Sequence, residues 1–295
     1  MTSLRQRMLD AMVLRGMSKR TQEAYIEAVA RLARHYHRSP DRLDAADVQK
    51  YLLYLLQDRH LARSSVNQCS CACRFLYGKV LDREAQAFQI PLAKAPQRLP
   101  EILSREELSR LFASAPSLKA RTVLMVGYGA GLRLSELCHL RVCDIDSARD
   151  RMCIRVVQGK GAKDRYVPLA DDVLVVLRAW WMHVRPTDWL FASHRDETRA
   201  LDGCSAQRWY HRARKAASIT KQGGIHTLRH CYATHLLESG VDLHSLSQWL
   251  GHNHVSTTAR YLHLARPDLP DGARRNPLKL LGALPPVPIT EAAVH

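Results

Sequence analysis

Arg133, Lys160, His226, Arg229, His252 and Tyr261 are residue types suited to work on a phosphodiester, and they lie in short, ordered stretches. Arg133 follows a Gly-Ala-Gly turn in "GAGLRLSEL". Lys160 sits at the tip of "GKGAK", a glycine-bearing turn it shares with Lys163. His226 and Arg229 open "HTLRH" and, being three apart, share a helix face. His252 follows Gly251, and Tyr261 comes nine residues later in "VSTTARYLHL". Two guanidinium groups can each present paired donors to the non-bridging oxygens of one phosphate. A phosphodiester passing through a pentacoordinate state needs that charge support. A tyrosine phenol, with a pKa of roughly 10, is a poor nucleophile until nearby cations and a histidine base activate it. A lysine or histidine can protonate the leaving alkoxide. None of these steps needs a metal or a cofactor.

Plainer readings compete at each position. Arg133 and Glu136 have the spacing of an i, i+3 ion pair on a helix surface. Tyr261 can be a core aromatic, as is expected of Tyr210 and Tyr232. His226 and His230, at i, i+4, have zinc-ligand spacing, but "HTLRH" lacks the intervening Glu and a third ligand. No metal is therefore expected. His230 and His235 are read as structural or surface residues, and Cys231 as a small core residue. The letters "HNH" at 252–254 do not by themselves make a nuclease site.

The elements that must position these residues fall in two groups. Residues 1–84 read as four short helices, with Ser18 and Asp44 placed to cap two of them. The last of the four follows Ser64, where Val66, Cys69, Cys73, Leu76 and Val80 keep helical period. "CSCAC" lacks the two-residue gap of paired zinc ligands, so Cys69 and Cys73 read as core thiols without disulfides. Residues 85–100 hold three prolines and no clear period, which makes them a linker. Residues 101–266 form the second unit. Ser104 and Glu107 have capping-box spacing. The runs "RMCIRVVQ" and "DRYVPLA" flank the glycine-bearing turn as a hairpin, and helices dominate from Asp171 to about Leu264. A proline-rich tail, 267–295, contains a short apolar piece, "PLKLLGAL". The expected fold class is mainly α with a small β-sheet.

The formal charge of +16 over 295 residues favours a polyanionic partner, and nucleic acid above an anionic membrane. No apolar run is long enough to span a bilayer, and the N-terminal stretch has no continuous apolar core, so the expected location is the cytoplasm. Arg208, Arg212 and Lys215 recur at i, i+4, i+7 in "RWYHRARK", a stripe that can track phosphates. Lys19, Arg20 and Arg63 stand at helix starts, where the backbone favours phosphate.

The ordered set "GLRLSEL", "GKGAKDRYVPL", "HTLRH", "WLGH" and "TTARY" resembles the tyrosine recombinases, the Xer-like and phage integrase family. Each piece alone is weak, and the five in order are specific. The resemblance spans nearly the whole chain and implies a helical core-binding domain, a basic linker and a catalytic domain. It implies that Arg133 and Arg229 clamp the phosphate, that Lys160 protonates the leaving 5′ oxygen, and that His226 is the acid/base histidine. It further implies that His252 hydrogen-bonds the phosphate, that Tyr261 forms a 3′-phosphotyrosyl bond, and that Glu136 supports the site from behind. The partner is then double-stranded DNA, recombined by a homo-tetramer on two sites, with "PLKLLGAL" as a segment that docks on a neighbouring subunit. A non-catalytic DNA-binding accessory protein and type IB topoisomerase-like relaxation are the alternatives.

Overall fold

The computed structural model describes residues 3–83, 100–157 and 164–265. Lys160, Lys163, the linker, except Pro100, and the "PLKLLGAL" segment lie outside the described residues. The chain divides into two compact units, Met1–Arg98 and Leu99–His295.

The first unit is helical. Its helices are α1 (Ser3–Val13), α2 (Lys19–Tyr36), α3 (Ala45–Gln57) and α4 (Arg63–Phe75), and α4 continues into a π-helical segment, Leu76–Val80. Ser18 caps α2 by accepting from the Thr21 N–H. Asp44 caps α3, and Asp47 returns the bond to the Asp44 N–H, so the reciprocal box forms with Asp in place of the usual Glu. Helix α4 starts at Arg63, with Ala62 at the cap and no side-chain cap bond, two residues earlier than Ser64 suggests. Met8, Met12, Leu32, Val48, Cys69, Cys73 and Leu76 interlock in the core. Both cysteines are buried, and all eight cysteines of the chain are free thiols. Deeply buried Leu32 alone is worth about 2 kcal/mol of apolar transfer.

The second unit packs helices on one another and carries one small sheet. In order come α5 (Arg105–Ala113), α6 (Leu118–Gly129), α7 (Leu134–Cys138), strands β1 (Ile145–Asp146), β2 (Cys153–Val156) and β3 (Arg165–Pro168), then α8 (Asp171–Val184), α9 (Gly203–Ala216), α10 (His226–Glu238), α11 (Leu243–Leu250) and α12 (Val255–Ala259). The strands run antiparallel in the order β1-β2-β3, with Ile154 opposite Val167. The expected hairpin is present, and the two-residue β1 extends it. Ser104 and Glu107 form the expected capping box of α5.

Strand alternation decides the placement of one residue. Side chains two apart share a face. Val167 is fully buried and Tyr166 is exposed, so Arg165 is turned inward with Val167.

Helix α10 is buried around most of its girth, because it lies between two apolar clusters. Leu228 and Cys231 belong to the large cluster with α6, α8 and α9. Tyr232 and Ala233 belong to a second one with Leu246, Leu250 and Tyr261. Cys231 is the expected core thiol, and His235 is buried with its Nδ1 against the Tyr128 hydroxyl at 3.0 Å. No described helix is long and apolar enough to cross a membrane.

Candidate active site

Glu136 is the centre from which the site is built. It occupies the third position of α7, and its Oε2 accepts the N–H of Arg133 at 2.8 Å, closing the helix start. Its Oε1 accepts from Arg133 Nη1 at 2.7 Å. Arg165, reaching in from β3, places its fork on the same carboxylate, with Nη1 at 2.8 Å from Oε1 and Nη2 at 2.7 Å from Oε2. Arg229 Nη1 stands 3.9 Å from Oε2. Burial alone would raise this carboxyl, but the Arg165 and Arg133 hydrogen bonds and charges outweigh it and hold Glu136 at about 2. One buried anion thus anchors three arginines.

Two tight turns bring the arginines together. Gly131 has φ +57° and carries the chain from α6 into Arg133. A Cβ there would lie 2.3 Å from the Tyr232 ring, while the Gly131 carbonyl accepts from Arg229 Nη1 at 2.7 Å. Gly251 ends α11 in the left-handed region with φ +62°, and its carbonyl accepts from Arg133 Nη2 at 2.8 Å. Arg165 Nε donates to the Trp249 carbonyl at 2.7 Å, and Arg229 Nη2 donates to that of Leu250. The arginines therefore satisfy carbonyls that the end of α11 leaves without helical partners. Replacing Gly131 by Ala should cost more than about 1–2 kcal/mol, the penalty of a left-handed side chain, because the Tyr232 ring must also move. Urea unfolding measures this, and a loss below that range would contradict the packing.

Arg229 is 1% exposed. Burial, then Arg133, lowers its pKa to about 10, which leaves it cationic near neutrality. Its Nη2 lies 3.2 Å from His252 Nε2, and His252 Nδ1 lies 2.7 Å from Thr258 Oγ1. A guanidinium can only donate, so Nε2 accepts and the imidazole proton sits on Nδ1, pointing at Thr258. Burial and then Arg229 and Arg133 push His252 down to about 4, so it is neutral.

Tyr261 follows α12 and is 3% exposed. Its ring stacks on that of His252, with centroids 6.5 Å apart at 12°. Burial raises its phenol, and Arg229, Arg260 and Arg133 pull the other way. The hydroxyl lies 2.9 Å from His230 Nδ1. His230 is thus half-buried and held against Tyr261. The i, i+4 spacing from His226 was its sequence signal, because it points both rings to one side of α10. His226 is exposed at the helix start, edge-on to His230 with centroids 4.8 Å apart. The protein packed around its inner edge, then Arg229 and Arg133, lower its pKa.

Arg133, Glu136, Arg229, His252 and Tyr261 converge, and His226 stands at their rim. Arg165 and His230 join them, and sequence reasoning passed over both. Among the described residues, no three His, Cys, Asp or Glu side chains come together to hold a metal. Arg208, Arg212 and Lys215 are exposed on α9, opposite buried Ala206, Tyr210 and Ala213. A cleft of about 1310 Å³ opens beside the start of that helix, where Lys119, Arg195, Arg199 and Arg208 line it. Lys19, Arg20 and Arg63 are exposed at the starts of α2 and α4 in the first unit.

Two family models match this chain. Residues 101–267 match the phage integrase family, and residues 4–87 match the phage integrase N-terminal SAM-like domain. An integrase/recombinase of Escherichia coli is 32% identical over 312 residues, covering 92% of this chain and 90% of the relative. The tyrosine recombinase XerA of Thermococcus kodakarensis is 35% identical over 251 residues, covering 84% of this chain and 86% of its own. Among solved structures, a lambda integrase tetramer bound to a Holliday junction superposes with TM-score 0.72 at 18% identity, over 90% of this chain and 77% of that one. That likeness concerns the fold. Matched along both units by the family models and by relatives over nearly their full length, the chain belongs to the phage integrase family and is a tyrosine-type site-specific recombinase.

Proposed function

We propose that Tyr261 attacks a DNA phosphodiester and stores the bond energy as a 3′-phosphotyrosyl link, which the freed 5′ hydroxyl of a partner strand then attacks. The exchange is close to isoenergetic, so it needs no ATP. The observation that carries this reading is that Arg229 and Arg133 act on the buried Tyr261 phenol through their charge, while neutral His252, bonded to Arg229, stacks on the tyrosine ring. The two arginines hold the non-bridging oxygens and offset the charge of the pentacoordinate state. His252 donates a hydrogen bond to the same phosphate once its Nδ1 proton leaves Thr258. Glu136 keeps both arginines aimed. Lys160, which lies in sequence between β2 and β3, protonates the leaving oxygen, and His226 serves as acid/base at the rim. The double-stranded DNA lies against the basic faces carrying Lys19, Arg20, Arg63, Arg208, Arg212 and Lys215, in the cytoplasm. Four copies act on two sites; a lambda integrase of like fold has been solved as a tetramer bound to a Holliday junction.

The test is an exchange assay. Two linear duplexes carrying the sequences that flank the gene are incubated with the protein and resolved for hybrid products, beside a supercoiled plasmid without those sequences. Hybrid duplexes with an unrelaxed plasmid support strand exchange at a site. A relaxed plasmid without hybrids would mark a topoisomerase-like activity, and DNA binding with neither product would mark an accessory protein. Arg212→Ala and Lys215→Ala should each weaken DNA binding equally on all sequences and reduce the salt slope by about 1. An unchanged slope would remove α9 from the interface.

A further inference from the structure

We propose that His230 is a catalytic residue of the strand-cleavage step: it is the base that takes the proton from Tyr261. This rests on the assignment of Tyr261 as nucleophile and adds the partner that makes the phenol reactive. The argument is one of elimination around a single hydroxyl. Three imidazoles lie near it. His252 stacks on the tyrosine ring, but its Nε2 faces Arg229 and its Nδ1 faces Thr258, so neither nitrogen points at the phenol. His226 lies beyond His230, edge against ring. His230 alone presents a nitrogen to the phenol, with Nδ1 2.9 Å from the oxygen.

The surroundings keep this nitrogen unprotonated and screened from bulk water. Tyr261 is 3% exposed, so bulk water has little access to its proton. The groups facing His230 are His226 and Arg229 on α10, and Arg260 and Tyr261 beyond α12. Burial, then His226, Arg229 and Arg260, hold its imidazole at about 4, so it is neutral with a lone pair free. With the proton of the neutral ring on Nε2, Nδ1 accepts from the phenol. In the step, the O–H bond of Tyr261 breaks and an N–H bond forms on His230 Nδ1. The phenolate electron pair forms the O–P bond, and the bond from phosphorus to the 5′ oxygen breaks. That oxygen takes its proton from a separate acid. The imidazolium is costly beside Arg229 and Arg260, so it hands a proton on readily, and His226 at the exposed rim offers the route to water.

The experiment measures single-turnover formation of the covalent protein–DNA complex on a nicked duplex, with either oxygen or sulfur at the bridging 5′ position of the cleaved phosphate. A sulfur leaving group needs no acid, so it separates loss of the base from loss of the acid. His230→Asn keeps an acceptor near the Nδ1 position but cannot take the proton. It should cleave about 100-fold or more slowly with both substrates. Its rate should rise about tenfold per pH unit as tyrosinate forms, while the wild-type rate stays nearly flat between about pH 6 and 8. Lys160→Ala should recover with sulfur. His230→Asn cleaving within a few-fold of wild type, or recovering with sulfur, overturns the proposal. Should His230→Asn not fold, a tenfold-per-unit rise in the wild-type protein overturns it equally. Tyr261→Phe separates the two levels. If it still forms the complex, the nucleophile assignment falls and this inference with it. If it is inert while His230→Asn is fast, only the base is wrong.

Discussion

Glu136→Gln should lower the stability of the second unit by about 3 kcal/mol at neutral pH and abolish most strand cleavage. The carboxylate is 6% exposed and is the anion that takes the Arg165 fork and the Arg133 Nη1. Removing one partner of a buried ionic cluster leaves the others desolvated and unpaired, which costs on the order of 3–5 kcal/mol. The pH dependence gives an independent measure. Folding lowers this carboxyl from its ordinary 4.5 to about 2. A depressed value means the ionised form favours the folded chain at every pH above 4.5, and that the advantage is lost as pH falls through 2. At 1.36 kcal/mol per unit, the contribution is about 3 kcal/mol. Urea unfolding of wild type and variant in parallel should show a gap that is constant above pH 4.5 and narrows towards pH 2. Equal stabilities at neutral pH would show that the three arginines do not depend on this anion.

Arg229→Lys should slow cleavage on the order of 10²–10³-fold while DNA affinity changes little. Lysine keeps the charge but lacks the planar fork. Arg229 uses its fork to reach the Gly131 and Leu250 carbonyls and His252 at once, and an ammonium at the same depth cannot serve all three. DNA affinity is set by many exposed phosphate contacts, so it should hardly respond. Single-turnover rates beside binding isotherms separate the two. A rate within about threefold of wild type would take Arg229 out of the clamp, since removing a preorganised donor costs far more than that.

The sequence was most legible where local rules act. Ser18, Asp44 and the Ser104–Glu107 pair cap the helices they precede, because a cap is a contact between neighbours in the chain. Cys69 and Cys73 fall on a buried face because their spacing follows the helix period. Four of the five motifs supplied Arg133, Glu136, His226, Arg229, His252 and Tyr261, while Lys160 of the fifth lies outside the described residues. What they left out depends on contacts between distant elements. Arg165 looks like one more basic residue beside a turn, and only the pairing of β3 with β2 turns it towards Glu136. His230 looks like a second histidine on a basic helix, and only the docking of α12 brings Tyr261 against it. Strand β1 is two residues long and has no period to detect.

The central claim is that Tyr261 carries the DNA. The direct measurement is a covalent trap, in which wild type and Tyr261→Phe are incubated with nicked duplexes built from the gene's flanking sequences and run on denaturing gels. A protein–DNA band in wild type, absent from Tyr261→Phe at equal DNA binding, is the predicted result. A band of equal strength in Tyr261→Phe would show that another residue carries the DNA and would contradict the account.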